Sequence, residues 1–352
     1  MTDNIVSDLA VVGFKFRHHG KYSGYDQIVN YLNPSIYLDR GKFDYTTPLL
    51  LNIRGGNRVN LFLEKLRDQK FFSELYKICQ NPKIKVIHFL YPENTLAFCP
   101  FEIPNNKIVI GTFHQPQVYF RDIFTNSVQN ELAIKNFRRC NRAIVLGNNE
   151  LEEFTKITGI KQVDFIPHGL NTIRYKPMNY KRKQNHILFL GNWLRDFECA
   201  AGVFTELVRL NPEMKVIVVC NKENHQYFTG IKNVQCLSGI SDDHLLMLLQ
   251  TCSLLFLPLK SATANNAIVE AAACGLPILT TDLLSLEDYI TLPAKMKFSL
   301  EMHEDYLALA MKILALLESR RELEEGGELL AQSSIKLNWE LIAKQTEELY
   351  IH

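Results

Sequence analysis

One carboxylate and a run of small polar residues stand together in the second half of the chain. The stretch is Ala262-Thr263-Ala264-Asn265-Asn266-Ala267-Ile268-Val269-Glu270-Ala271-Ala272-Ala273-Cys274-Gly275-Leu276-Pro277-Ile278-Leu279-Thr280-Thr281-Asp282. It reads as loop, short helix, tight stop and buried strand. Thr263 is of a type that caps a helix start. Gly275 stands where a helix end wants a left-handed residue, and Pro277 prevents the helix from continuing. Ile278 to Thr281 is then a short β-prone run. A helix start carrying small polar residues leaves its first N–H groups available to an anion. Glu270 follows about two turns on, within reach of a ribose attached to that anion.

Elements must exist to position these groups. The 352 residues are 47% apolar, enough for two sizeable cores. Short buried strands are expected at Asp8–Phe14, Pro48–Ile53, Ile84–Leu90, Lys107–Phe113, Ala143–Gly147 and Val163–Ile166. After a polar linker, Arg174 to Asn185, more are expected at Ile187–Leu190, Lys215–Cys220, Leu254–Leu257 and Ile278–Thr281. Alternation of such strands with helical patterns predicts parallel, doubly wound α/β sheets. The tail, Ser333–His352, spaces Leu337, Leu341, Ile342, Leu349 and Ile351 among charges and reads as an amphipathic helix. No apolar run reaches the length of a membrane span, and the polar, acidic first residues are unlike a secretory signal. The eight cysteines form no Cys-x-x-Cys pair. That pattern predicts buried thiols in a reducing cytoplasm.

The run Glu270-Ala271-Ala272-Ala273-Cys274-Gly275-Leu276-Pro277 resembles the signature of retaining glycosyltransferases of the GT-B fold, in the family 4-like group (glycosyltransferase family 1 domain), bacterial exopolysaccharide type. The likeness extends along the chain. Ile166-Pro167-His168-Gly169-Leu170-Asn171 with Tyr175-Lys176-Pro177 resembles the interdomain segment. Leu188 to Asp196 resembles the first strand and loop of the second domain, and Asn338-Trp339-Glu340 the C-terminal crossover. The resemblance implies two Rossmann-like doubly wound domains facing across a cleft, with a C-terminal helix crossing back to the first. Residues 1–176, completed by 335–352, would bind the acceptor. Residues 177–334 would bind the nucleotide-sugar.

The resemblance also implies roles. Glu270 would accept hydrogen bonds from the ribose hydroxyls. The backbone amides at Ala264, Asn265 and Asn266, with Thr263 before them, would hold the pyrophosphate and sugar. The first glutamate usual in this group falls on Ala262, so its contribution is missing here. Arg195 would lie on the pyrophosphate, since a guanidinium grips two phosphate oxygens at once; the alternative is a surface pair with Asp196 or Glu198. The usual Lys-Gly pair is absent from that loop. His114, at the C-terminal end of a parallel strand, lies where ligands bind such sheets, and the group's matching histidine contacts the transferred sugar. Ser23 and Gly24, in the first strand–helix turn, would let the backbone approach donor and acceptor. His88 is balanced between the site and the core, and His168 between a hinge and the cleft.

Charge is divided. Residues 1–176 carry 23 Lys and Arg against 16 Asp and Glu, whereas residues 177–352 carry 16 against 22. A basic first half suits an anionic lipid surface or a lipid pyrophosphate acceptor, with peripheral association at the inner membrane face. No basic–aromatic repeat points to nucleic acid. No Asp-x-Asp metal motif is present, and Asp242-Asp243 is far from the donor loops in sequence, so neither metal nor cofactor is expected. The expected activity is metal-independent transfer of a hexose from a UDP-sugar such as UDP-glucose to a saccharide or lipid-linked saccharide, with retention. A GT-B epimerase or phosphorylase, or a non-catalytic binding subunit, is the alternative.

Overall fold

The computed structural model describes residues 6–16, 20–43, 56–178 and 181–350. The chain divides into two units: residues 1–168 with 339–352, and residues 169–338.

Among the described residues the first unit holds a six-stranded, wholly parallel sheet in the order β2-β1-β3-β4-β5-β6. Its strands are β1 (Val6–Gly13), β2 (Pro34–Asp39), β3 (Val86–Phe89), β4 (Ile108–Phe113), β5 (Arg142–Val145) and β6 (Val163–Phe165). The helices are α1 (Val29–Leu32), α2 (Gly56–Gln80), α3 (Gln117–Thr125), α4 (Glu131–Phe137) and α5 (Leu151–Thr158). The expected strand Pro48–Ile53 lies outside the described residues, as does Arg17 to His19 of the first turn.

The second unit repeats the theme with β7 (His186–Leu190), β8 (Lys215–Val219), β9 (Val234–Leu237), β10 (Leu254–Leu257), β11 (Ile278–Thr281) and β12 (Lys297–Phe298). Its order is β12-β11-β10-β7-β8-β9, all parallel. Renumbered within the unit this is 3-2-1-4-5-6, the dinucleotide-binding arrangement. Its helices are α6 (Phe197–Leu210), α7 (Asp242–Thr251), α8 (Asn266–Ala273), α9 (Leu284–Glu287), α10 (Tyr306–Glu318) and α11 (Arg320–Ser334). β10 and β11 are buried along their whole length, as strands covered on both faces must be.

The helix carrying Glu270 ends as expected and starts differently. Gly275 takes φ +64°. Its N–H bonds the Ala272 carbonyl at 2.8 Å, and Leu276 N–H bonds that of Ala271 at 2.9 Å. These two bonds make a Schellman stop. The N-cap, however, is Asn265, whose side chain accepts from Ile268 N–H; Thr263 does not cap α8. The helix therefore begins later than Thr263 implied. Glu270 is its fifth residue, little more than one turn from the cap.

The tail is not one helix. α11 ends at Ser334, a 3-10 turn spans Ile335–Leu337, and α12 (Trp339–Glu348) follows. α12 belongs to the first unit. There Trp339 packs on Tyr25 and His168, with ring centroids 5.4 and 5.1 Å away. His88 is a core residue. It is fully buried, with Nδ1 2.7 Å from the Tyr350 hydroxyl and Nε2 2.8 Å from that of Thr112. Burial pushes its pKa down to about 3, so it stays neutral and fastens the chain end to β3 and β4.

Candidate active site

In the second unit the strand order reverses between β7 and β10, and ligands of such sheets bind beyond the strand ends at that point. The loop after β7 carries Arg195, and the loop after β10 leads into α8. The two are stitched together: Asp196 N–H bonds the Pro258 carbonyl and Lys260 N–H that of Leu194, each at 3.0 Å. Arg195 donates from Nε to the Leu190 carbonyl at 3.1 Å, from Nη1 to the Trp193 carbonyl at 2.6 Å, and from Nη2 to Asn265 Oδ1 at 3.3 Å. No carboxylate pairs with it among the described residues. Burial lowers its pKa to about 10, so it remains charged at neutrality.

The alternative pairing of Arg195 with Asp196 does not occur. Asp196 caps α6 through Cys199 N–H, and its other oxygen lies 3.0 Å from His303 Nδ1. Burial acts to raise its pKa, but these bonds outweigh that and hold it below the usual carboxylate range. His303 Nε2 lies 2.9 Å from the Thr281 hydroxyl, which accepts from Leu259 N–H at 2.8 Å. This network ties the loops after β7, β10 and β12 to the end of β11. The result is a fixed cation at the N-terminus of a helix, an arrangement that stabilises anions.

Gly191 makes the arrangement possible. Its φ is +103°, and a Cβ there would stand 2.5 Å from Arg195 Nη2. Sequence reading passed over it, although a glycine directly after a strand at a reversal point is a usable signal.

Glu270 is 6% exposed. Burial raises its carboxyl to about 8; a hydrogen bond from the Tyr175 hydroxyl opposes the rise, nearby Asp242 adds to it, and Arg174 opposes it. Asp242 and Asp243, distant in sequence, are thus close in space. Asp242 faces Glu270, and Asp243 pairs with Arg174 at 2.7 Å. Tyr175 was legible as part of a motif, but its contact with Glu270 was not. Thr263 and Asn265 are buried, and Ala264 and Asn266 half-buried, at the start of α8. Among the described residues no group of three or more His, Cys, Asp or Glu is placed to hold a metal ion.

In the first unit the order reverses between β1 and β3. After β1, Gly24 takes φ 97° and ψ 152°, a region open essentially to glycine alone. This directs Tyr25 N–H onto the Tyr91 hydroxyl at 2.9 Å. The Ser23 hydroxyl closes the same turn, accepting from Gly20 N–H at 3.0 Å. After β4, the His114 ring stacks on Tyr91, with centroids 4.3 Å apart and 24° between planes, and meets the edge of Tyr25 at 5.0 Å. Its Nε2 donates to the Leu90 carbonyl at 2.7 Å. A carbonyl can only accept, so the neutral ring carries its lone pair on Nδ1. Ser23, Gly24 and His114 therefore come together at one end of this sheet. His168 packs on Tyr25 as well as Trp339.

Residues 184–319 match the family model described as glycosyl transferases group 1. They contain both Arg195 and Glu270. No curated protein matches the chain in sequence. Similar solved structures include sucrose-phosphate synthase from Thermosynechococcus elongatus, 17% identical over 97% of this chain and 98% of that one, with a TM-score of 0.70. Alr3699/HepE from Anabaena, in complex with UDP and glucose, is 14% identical over 97% and 99%, with a TM-score of 0.67. A glycosyltransferase from Rickettsia africae is 13% identical over 97% and 98%, with a TM-score of 0.64. The fold is the two-domain, Rossmann-like α/β fold of these structures.

Proposed function

We propose that the chain is a retaining glycosyltransferase that moves a hexose from a UDP-sugar to a saccharide or lipid-linked saccharide. The observation carrying this reading is the half-buried Arg195 guanidinium, unpaired with any carboxylate among the described residues, beside the start of α8 and followed one turn later by Glu270. A diphosphate joined to a ribose fits that sequence of groups. The group 1 match over this unit and the UDP held by the Anabaena structure support it.

In this reading Arg195 and the first N–H groups of α8 neutralise charge on the departing diphosphate. The acceptor hydroxyl attacks from the same face, and the leaving phosphate takes its proton. The basic first half suits an acceptor carrying phosphate, in exopolysaccharide assembly at the cytoplasmic membrane face. No helix among the described residues is long and apolar enough to cross a membrane. Incubation with UDP-glucose and other UDP-hexoses, following UDP release and the anomeric configuration of the product, tests the assignment. Release from none of them would remove it.

Two expectations follow. Release of UDP should survive excess EDTA, because Arg195 and helix amides take the place of a divalent ion. Loss restored by Mg²⁺ or Mn²⁺ would contradict this. His114 should act on the transferred sugar, so His114→Ala should lower kcat about a hundredfold or more, the scale of a positioned imidazole, while UDP affinity stays nearly unchanged. Steady-state kinetics with calorimetric UDP titration separates the two effects.

A further inference from the structure

A carboxyl is buried beneath the backbone of His114. Glu93 lies in the 3-10 turn Pro92–Asn94 that follows β3 and is 4% exposed. Its Oε1 accepts two backbone bonds, from His114 N–H at 2.6 Å and from Gln115 N–H at 3.1 Å. Its Oε2 is buried with no hydrogen-bond partner among the described residues. A buried polar atom left unsatisfied is costly and calls for a reason.

The same turn holds the imidazole. The Leu90 carbonyl takes Nε2–H, and the Tyr91 ring stacks on the face. The turn is itself stapled: Asn94 N–H bonds the Tyr91 carbonyl at 3.0 Å, and the Thr95 hydroxyl donates to that carbonyl at 2.6 Å. Leu90, Tyr91 and Glu93 thus grip His114 by ring edge, ring face and backbone.

We propose that Glu93 is a positioning residue whose ionised carboxylate clamps the His114–Gln115 backbone, and whose protonation on Oε2 loosens that clamp. A carboxylate accepts N–H bonds more strongly than its neutral form. Burial raises the Glu93 carboxyl to about 7, against the pull of the N–H bonds it accepts. The titratable groups facing it are His114 after β4, Tyr119 on α3 and Cys140 after α4, with Arg139 acting on Cys140. The clamp tightens as pH rises through neutrality, and the histidine is aimed best above it. The catalytic consequence rests on the proposed role of His114, whereas the clamp does not.

The test uses the full chain labelled with nitrogen-15 at histidine and glutamine. The His114 and Gln115 amides are assigned from His114→Gln and Gln115→Glu. In the wild type both amide resonances should shift with a midpoint near pH 7. In Glu93→Gln, which keeps an acceptor but cannot titrate, the Gln115 shift should vanish. In Glu93→Asp, whose shorter arm reaches less well, its midpoint should move. A Gln115 amide that does not titrate in the wild type, or titrates unchanged in Glu93→Gln, overturns the clamp. Hydrolysis of UDP-glucose supplies the catalytic arm: kcat should rise through pH 7 in the wild type and lose that limb in Glu93→Gln, with KM little changed. A wild type that neither binds UDP nor hydrolyses UDP-glucose would sink the glycosyltransferase reading, and the amide titration would still decide the clamp.

Discussion

Arg195→Ala should weaken UDP binding about a hundredfold or more, the loss expected when two charge-assisted hydrogen bonds to a phosphate are removed. Arg195→Lys should recover only part of it, because an ammonium keeps the charge but not the planar fork. In Arg195→Ala the carbonyls of Leu190 and Trp193 lose the guanidinium donor, and the Asn265 side chain keeps only its bond from Ile268 N–H. Calorimetric titration should therefore be accompanied by a melting curve. Gly191→Ala should mimic the defect without touching the arginine. Its Cβ would stand 2.5 Å from Nη2, and φ +103° is strained for alanine, at about 1–3 kcal/mol. Wild-type affinity in a folded Gly191→Ala would show that the guanidinium is free to move and that its fixed placement is immaterial.

Glu270→Ala should weaken UDP binding about ten- to a hundredfold near neutrality, through loss of two ribose hydrogen bonds at roughly 0.5–1.5 kcal/mol each to a carboxyl that is largely protonated there. The pH dependence gives a sharper signature. Burial holds the folded carboxyl at about 8, far above its usual range. Between the unfolded value and 8 the folded state keeps a proton that the unfolded state has released, so stability falls as pH rises through that window and levels off above it. Glu270→Gln should remove this slope. The variant should melt higher than the wild type near pH 8, with little difference at acid pH, and should still bind UDP poorly. In the wild type, UDP affinity should grow as pH rises toward 8, because the ionised form is the better acceptor. A pH-independent UDP affinity would mean that Glu270 does not face the ribose.

The central strands were legible because burial on both faces leaves a continuous apolar run. β10 and β11 fall at the expected residues, and β4, β7 and β8 within one. The strands that reading missed, β2, β9 and β12, all lie at sheet edges. There most residues are only half-buried, and Pro34-Ser35-Ile36-Tyr37-Leu38-Asp39 carries no such run. The helix stop at Gly275 was legible because only one residue there suits a positive φ. The start was not, since Thr263 and Asn265 are both good caps. Asn265 is selected by a contact invisible locally: its Oδ1 serves Ile268 N–H and Arg195 together.

Partners were the least legible feature. Asp196 stands beside Arg195 in sequence yet bonds His303. Glu270 meets Tyr175, which lies in the linker. Glu93, a lone carboxylate between Pro92 and Asn94, offered no pattern at all, and its place under His114 follows only from the pairing of β3 with β4.

Whether Arg195 and Glu270 together hold a nucleoside diphosphate is decided by calorimetric titration of UDP into the full chain alongside Arg195→Ala and Glu270→Ala. UDP should bind the wild type saturably at one site, about a hundredfold more weakly after the first substitution and at least about tenfold more weakly after the second. Absence of binding in the folded wild type, or equal affinity in all three proteins, would contradict that role.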